Sequence, residues 1–201
     1  MKSMKRGKFI VIEGLDACGK STISQKITAY FDAVMLNALP KSIKPWLHTI
    51  GKTEHPEATF SYFTLCNIIK AQEVNSILAT GKNVILDRYF YSTYVYHKQM
   101  LNGNVPKEMM AIYNELLQPD LVVFLDVPQK IREERIRGRA VEIQWYGDAV
   151  SLKNDLTNSY FEMFKELNTN VLIVDNYSNS ANATTAIIVD RLKAIGLDSC
   201  K

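Results

Sequence analysis

The clearest chemistry lies near the start of the chain, where Gly14-Leu15-Asp16-Ala17-Cys18-Gly19-Lys20-Ser21 spaces a glycine, four residues and then Gly-Lys-Ser. The glycines let the backbone curl so that successive N–H groups point inward at phosphate oxygens. A helix opening at Ser21-Thr22 would add the positive end of its dipole. Lys20 would reach the terminal phosphates of a nucleotide, and the Ser21 hydroxyl would ligate Mg²⁺. Farther on, Asp87-Arg88 sets an acid able to hold Mg²⁺, directly or through water, beside a forked cation that can grip an acceptor's phosphate with two parallel bonds. The same pair can equally be a surface ion pair. Arg132, Arg135, Arg137 and Arg139 fall within eight residues. On a helix, Arg132, Arg135 and Arg139 share one face, which could close over donor phosphates or stand as a solvated face paired with Glu133, Glu134 and Glu142.

Positioning these groups requires a frame, and the frame is legible in the hydrophobic pattern. Phe9–Glu13, Val34–Leu36, Val84–Asp87, Leu121–Asp126 and Val171–Asp175 are short apolar runs without polar alternation. Such runs suit strands buried on both faces, as in a parallel sheet covered by helices. Between them, helical spacing occurs at Ser21–Phe31, Ala58–Thr80, Pro106–Leu117, Gln129–Arg137, Ala149–Leu167 and Ala181–Ile195. The alternation predicts a single α/β domain with crossover helices. Its phosphate loop then leaves the first strand, and Asp87 sits at the carboxyl end of the third, where such sheets place ligands. The least regular stretches, Asn37–Pro56 and Arg137–Asp148, are candidates for substrate contact.

Composition limits the alternatives. A chain of 201 residues, 47% hydrophobic and 22% charged, has the size and balance of one globular domain. Nine Gly and six Pro are too few for a low-complexity chain. A net charge of +3 with interleaved signs does not mark a nucleic-acid binder, so any basic specialisation is local. The charged opening Met1–Lys8 precedes only Phe9–Ile12 before Glu13 interrupts, which is too short for a secretory signal. No run approaches the roughly 18 apolar residues of a membrane span. Cys18, Cys66 and Cys200 are odd in number and widely spaced, so no disulfide framework or zinc site is expected and a reducing, cytoplasmic compartment fits. Cys18, beside a lysine and a helix start, has the surroundings of a reactive thiol, or is simply a small residue that the turn tolerates.

A phosphate cradle alone leaves GTPases, mechanical ATPases and small-molecule kinases open. The chain has no Asn-Lys-x-Asp guanine-reading motif and little room for mechanical machinery, which leaves a small-molecule kinase. Four segments sharpen this: Phe9–Asp16 running into the cradle, Asp87-Arg88-Tyr89 followed by Ser92-Thr93 and Tyr96, Pro119–Pro128, and Arg132–Arg139. In their order and spacing the chain resembles the thymidylate kinase family of nucleoside monophosphate kinases.

The resemblance implies a three-layer P-loop NTPase fold with a five-stranded parallel sheet, a short arginine-rich lid at about 137–148, and a homodimer. It implies ATP as donor and a deoxynucleoside monophosphate, thymidylate first, as acceptor. No nucleic-acid or membrane partner is expected. With no arginine among Asp16, Ala17 and Cys18, the resemblance implies that Arg135, Arg137 and Arg139 supply the donor-site charge from the lid. Asp16 is implied to approach the acceptor's sugar hydroxyl, Tyr96 to flank the deoxyribose, and Phe63, 24 residues before Asp87, to stack on the base. Phe63 also fits ordinary helix packing with Tyr62, Leu65 and Ile69. Ser178–Asn182 is implied to line the adenine.

The pattern departs from the family on the acceptor side: Asn67 stands where an arginine commonly reads the pyrimidine, Asn37–Ser42 lacks the usual motif, and Gln144 replaces a lid arginine. A deoxynucleoside kinase is the rival enzyme reading, and it needs a carboxylate base near the acceptor oxygen. Asn37–Pro45 contains no acid, although Glu54 or Glu57 could fold back. A non-catalytic nucleotide-binding regulator is the third reading.

Overall fold

The computed structural model describes residues 6–53, 55–137 and 155–197. Five strands, β1 (Phe9–Glu13), β2 (Val34–Asn37), β3 (Val84–Asp87), β4 (Leu121–Asp126) and β5 (Val171–Asp175), form one parallel sheet in the order β2-β3-β1-β4-β5. The described helices are α1 (Lys20–Phe31), α2 (Leu47–Gly51), α3 (Pro56–Ala79), α4 (Phe90–Met100), α5 (Lys107–Glu115), α6 (Gln129–Arg137), α7 (Thr157–Glu166) and α8 (Ala181–Ala194). Strand order reverses at β1, which opens the crevice in which α/β sheets hold ligands. Ile12 pairs with Asp87, so β1 and β3 end side by side under that crevice.

Side chains alternate along a strand, and both faces of this sheet are covered. Phe9 and Val11 join Val74, Leu78, Phe90, Tyr113 and Phe164 in one core layer. Ile10 and Ile12 join Ile23, Ile27, Ile188 and Leu192 in the other. This explains the unbroken apolar runs of β1, β3 and β4, since a strand between two helix layers has no wet face, whereas β2 and β5 at the sheet edges are only partly buried. Each large side chain buried this way contributes about 1.5–3 kcal/mol. No helix among the described residues is long and apolar enough to cross a membrane.

The five strands and six helices expected from the pattern are present, with ends shifted by up to two residues where described at both ends. The helix expected from Ala149 is described only from Thr157. Three elements were not expected. The Asn37–Pro56 stretch contains a 3₁₀ turn (Lys44–Trp46) and α2. Helix α4 is the larger surprise, because Phe90-Tyr91-Ser92-Thr93-Tyr94-Val95-Tyr96 is aromatic and β-branched, a composition that favours strands. Tertiary context overrides the propensity, since every residue from Phe90 to His97 is buried and Glu13 accepts hydrogen bonds from two N–H groups at the helix start. The expected lid lies outside the described residues except for Arg137, and so do Arg139 and Gln144.

Candidate active site

The loop after β1 curls through three residues in the left-handed region: Gly14 (φ 144°), Ala17 (φ 62°) and Gly19 (φ 97°). A Cβ at Gly14 would lie 2.6 Å from Cys18 Sγ and 2.8 Å from the Leu125 carbonyl oxygen. One at Gly19 would lie 2.6 Å from Asn176 Nδ2. Both positions therefore exclude side chains by space as well as by dihedral angle. Lys20 is buried, its Nζ donating to the carbonyls of Gly14 (2.8 Å) and Leu15 (3.0 Å). From the end of β5, Asn176 Nδ2 donates to Cys18 O at 2.7 Å and pins the loop. Arg135 reaches over from α6 and donates to Ala17 O (3.1 Å) and Asn176 O (3.2 Å), which sets it on the rim of the cradle.

The other described arginines go elsewhere. Arg132 is buried in the protein body, with Nε donating to Val127 O. Arg137 is exposed and pairs with Glu133 at 3.5 Å. Arg132 and Arg135, which the helical spacing puts on one face, thus divide between core and cradle, while Arg137 stands in solvent.

Asp16, Lys20, Ser21, Thr22, Asp87 and Arg88 line one open cavity at the mouth of the cradle. Asp87 Oδ1 there is buried and has no hydrogen-bond partner. Leaving such an atom unpartnered is costly, and a hard cation is the kind of ligand that would satisfy it. Among the described residues no group of three or more His, Cys, Asp or Glu is arranged around a metal. Asp87 and Ser21 could therefore hold Mg²⁺ together with phosphate oxygens supplied by the nucleotide.

Arg88 occupies a left-handed backbone conformation (φ 68°), its N–H donating to Ile12 O at 3.0 Å. This conformation costs a non-glycine residue on the order of 1–2 kcal/mol, and such outliers gather at functional sites. The guanidinium bonds Asp16 through Nη2, and its Nη1 donates to Ser92 Oγ (3.3 Å) and the Tyr96 hydroxyl (3.4 Å). Tyr96 in turn donates to the second Asp16 oxygen at 3.0 Å. Burial opposes the arginine's charge, but Tyr96, Asp16, Tyr160 and Glu13 outweigh it and hold the guanidinium protonated.

Behind this cluster stands Glu13, wholly buried at the end of β1. Its Oε1 accepts from the N–H groups of Tyr89 (2.9 Å) and Ser92 (3.3 Å), and its Oε2 from the hydroxyls of Ser92 (2.5 Å) and Tyr160 (3.3 Å). Burial pushes its pKa up, against the pull of the Ser92 bond. Glu13 thus anchors the start of α4, which carries Ser92, Thr93 and Tyr96. An acid closing an apolar strand run was the signal for it in the sequence.

A second cavity of about 200 Å³ continues from Asp16 and Arg88 to Phe63, Asn67, Thr93 and His97. Ala38, Leu39 and Leu47 from the irregular stretch close one side of it. Asn67 is 2% exposed, and its Nδ2 donates to Thr93 Oγ1 at 3.0 Å. His97 stacks on Phe60 with ring centroids 4.9 Å apart. Its Nδ1 lies 2.7 Å from the Thr93 carbonyl, which can only accept, so Nδ1 carries the proton. Burial then holds its pKa down to about 4, and the ring is neutral at pH 7. A depressed imidazole pKa stabilises the fold above the free value of about 6.5, and this contribution is lost as pH falls toward 4. Urea unfolding is expected to show on the order of 3 kcal/mol of stability lost over that interval that is absent from His97→Asn, at about 1.36 kcal/mol per unit. Parallel pH profiles for the two proteins would refute this.

The structure therefore brings together the whole cradle, Asp87, Arg88 and Arg135, and it lines the adjoining pocket with Phe63, Asn67, Ser92, Thr93 and Tyr96. Glu13, Asn176, Tyr160 and His97 are members that sequence reasoning missed. The thymidylate kinase family model matches residues 12–187. A probable thymidylate kinase from Thermococcus gammatolerans is 31% identical over 182 residues, spanning 80% of this chain and 86% of that protein. The human mitochondrial UMP-CMP kinase 2 is 34% identical over 149 residues, 70% of this chain and 33% of that one. In three dimensions the fold matches thymidylate kinase from Candida albicans, with a TM-score of 0.71 at 21% identity, covering 94% of this chain and 92% of that chain. With its cradle and Asp-Arg step both falling inside the matched span, the chain belongs to the thymidylate kinase family.

Proposed function

We propose that the protein transfers the γ-phosphoryl group of ATP to a deoxynucleoside monophosphate, with thymidylate as the principal acceptor and thymidine diphosphate as product. One observation carries this reading: Asp16 and Arg88 line both cavities, so a phosphate cradle and an aromatic pocket meet at one cation. Two substrates bound end to end would place donor and acceptor phosphates on either side of that cation. Phosphoryl transfer asks little covalent chemistry of a protein and much positioning and charge neutralisation.

Lys20 and Arg135 are assigned to the donor phosphates and Arg88 to the acceptor phosphate. Arg137 and Arg139 join them as part of a lid at about 137–148 within one kinase domain spanning 1–201. Asp16 and Tyr96 orient the acceptor's sugar and Phe63 its base, while Leu15, Ala17 and Cys18 contribute backbone to the cradle. Bound Mg²⁺, held by Asp87 and Ser21, would neutralise charge on the transferring group. Membership of the family also leads us to expect a homodimer in the cytoplasm, the dimer being open to light scattering.

A monophosphate acceptor brings its own anionic nucleophile, so no general base is needed. Asp16 is the one acid among the described residues lining the pocket, and it is engaged by Arg88 and Tyr96. This supports a monophosphate acceptor over a nucleoside. An ADP-release assay with ATP and Mg²⁺ across nucleosides and monophosphates tests the reading. Turnover of thymidylate is expected. Phosphorylation of thymidine without thymidylate would replace it by the nucleoside kinase reading, and nucleotide binding without ADP release from any acceptor by the regulator.

A further inference from the structure

Apart from Asp16, Arg88, Tyr89, Ser92 and Tyr96, the polar side chains lining the acceptor pocket are those of Asn67, Thr93, His97 and Cys66. None of them is a charged donor. His97 is neutral, with both ring nitrogens committed to Thr93 O and Thr59 Oγ1. Burial pushes the Cys66 thiol up to about 11, which keeps it protonated. What remains to read a base is the carboxamide of Asn67 and the hydroxyl of Thr93, bonded to each other across the α3–α4 contact.

This pair has two arrangements that preserve its internal bond. In one, Asn67 Nδ2 donates to Thr93 Oγ1, which leaves the amide oxygen as an acceptor and the hydroxyl hydrogen as a donor. In the other the amide is turned over, so Thr93 donates to the amide oxygen while Nδ2 becomes a free donor and Oγ1 offers a lone pair. The inventory of an amide and a hydroxyl permits both. The first arrangement complements a pyrimidine with an exocyclic amine beside an unprotonated ring nitrogen. The second complements a pyrimidine with a carbonyl beside a ring N–H. Either arrangement gives a partner to both groups on the base edge, and unpaired groups there are the usual source of strong rejection.

We infer that the acceptor site takes both amino- and oxo-pyrimidine monophosphates, cytosine as well as thymine, because the Asn67–Thr93 pair matches either base edge by turning the Asn67 amide. The inference rests on the phosphoryl transfer proposed above and names its acceptor class.

The test compares kcat/KM for dCMP and dTMP at saturating ATP in the wild type, Asn67→Arg, and the shape-preserving double variant Asn67→Leu/Thr93→Val. Wild-type values within about 30-fold of each other are expected. A guanidinium can only donate, so Asn67→Arg is expected to raise the dTMP-to-dCMP ratio by about 100-fold. The double variant is expected to lower kcat/KM for both acceptors to a similar extent, and it folds independently of a buried arginine. Calorimetric binding of dCMP and dTMP follows the same ranking without turnover. A wild-type preference beyond 30-fold with dTMP turned over overturns the inference and leaves the phosphoryl-transfer reading standing. Equal losses for both acceptors in Asn67→Arg also overturn it. Turnover of neither nucleotide overturns both.

Discussion

Arg88→Gly is expected to lower kcat/KM for the acceptor by about 10³-fold, or about 4 kcal/mol at 1.36 kcal/mol per decade, while the KM for ATP moves by less than threefold. Glycine is the informative replacement because Arg88 sits at φ 68°, a conformation that glycine adopts without strain. The backbone cost of the site is thereby relieved, and the loss reports the guanidinium. That group is held in a fixed fork by Asp16, Ser92 and Tyr96, so it meets an incoming phosphate without reorganising. Arg88→Lys keeps the charge but not the fork, and it is expected to fall between the wild type and the glycine variant. Steady-state kinetics with each substrate varied, with thermal melts alongside, provide the check. Equal damage to both substrates' KM values would assign Arg88 to the general fold of the cleft.

Lys20→Met is expected to cut kcat by about two to three orders of magnitude. The methionine keeps the length and packing of a nearly buried side chain and removes only the ammonium. In the structure this ammonium lies against the carbonyls of Gly14 and Leu15, inside the curl where phosphate oxygens would bind. A cation in that desolvated setting acts most strongly where transition-state charge builds, so kcat is expected to fall more than nucleotide affinity. The two carbonyls lose their donor, at a cost of about 1–3 kcal/mol to the loop. A melting curve separates this from the chemical loss. A kcat within tenfold of wild type would remove Lys20 from the reaction.

Both variants act on groups whose partners the sequence did not reveal. Glu13 is four hydrogen bonds deep beneath Arg88, yet in the sequence it is one acid after four apolar residues. Asn176 stands there as one polar residue just past the fifth apolar run, and in the fold it is a buried clasp on Cys18. His97 gave no signal at all, because its importance comes from Phe60, Thr59 and Thr93 converging from two helices.

The sequence by itself determined the strands, most helices and the cradle, since these follow from local rules. Burial on both faces writes an unbroken apolar run, and a phosphate loop writes glycines where a Cβ would collide with Cys18, Leu125 or Asn176. Position along the chain also fixed Asp87 and Arg88 at a strand end. The tertiary structure alone decided which of three arginines on α6 reaches the cradle, because that depends on how the helix rolls against the sheet. It alone turned an aromatic, β-branched segment into α4, through burial and a buried carboxylate at its first turn. It alone paired Asn67 with Thr93, 26 positions apart, and so set what the pocket offers a base. Periodicity and turn chemistry are carried by neighbours in sequence, whereas hydrogen-bond partnership across helices is fixed only when the layers pack.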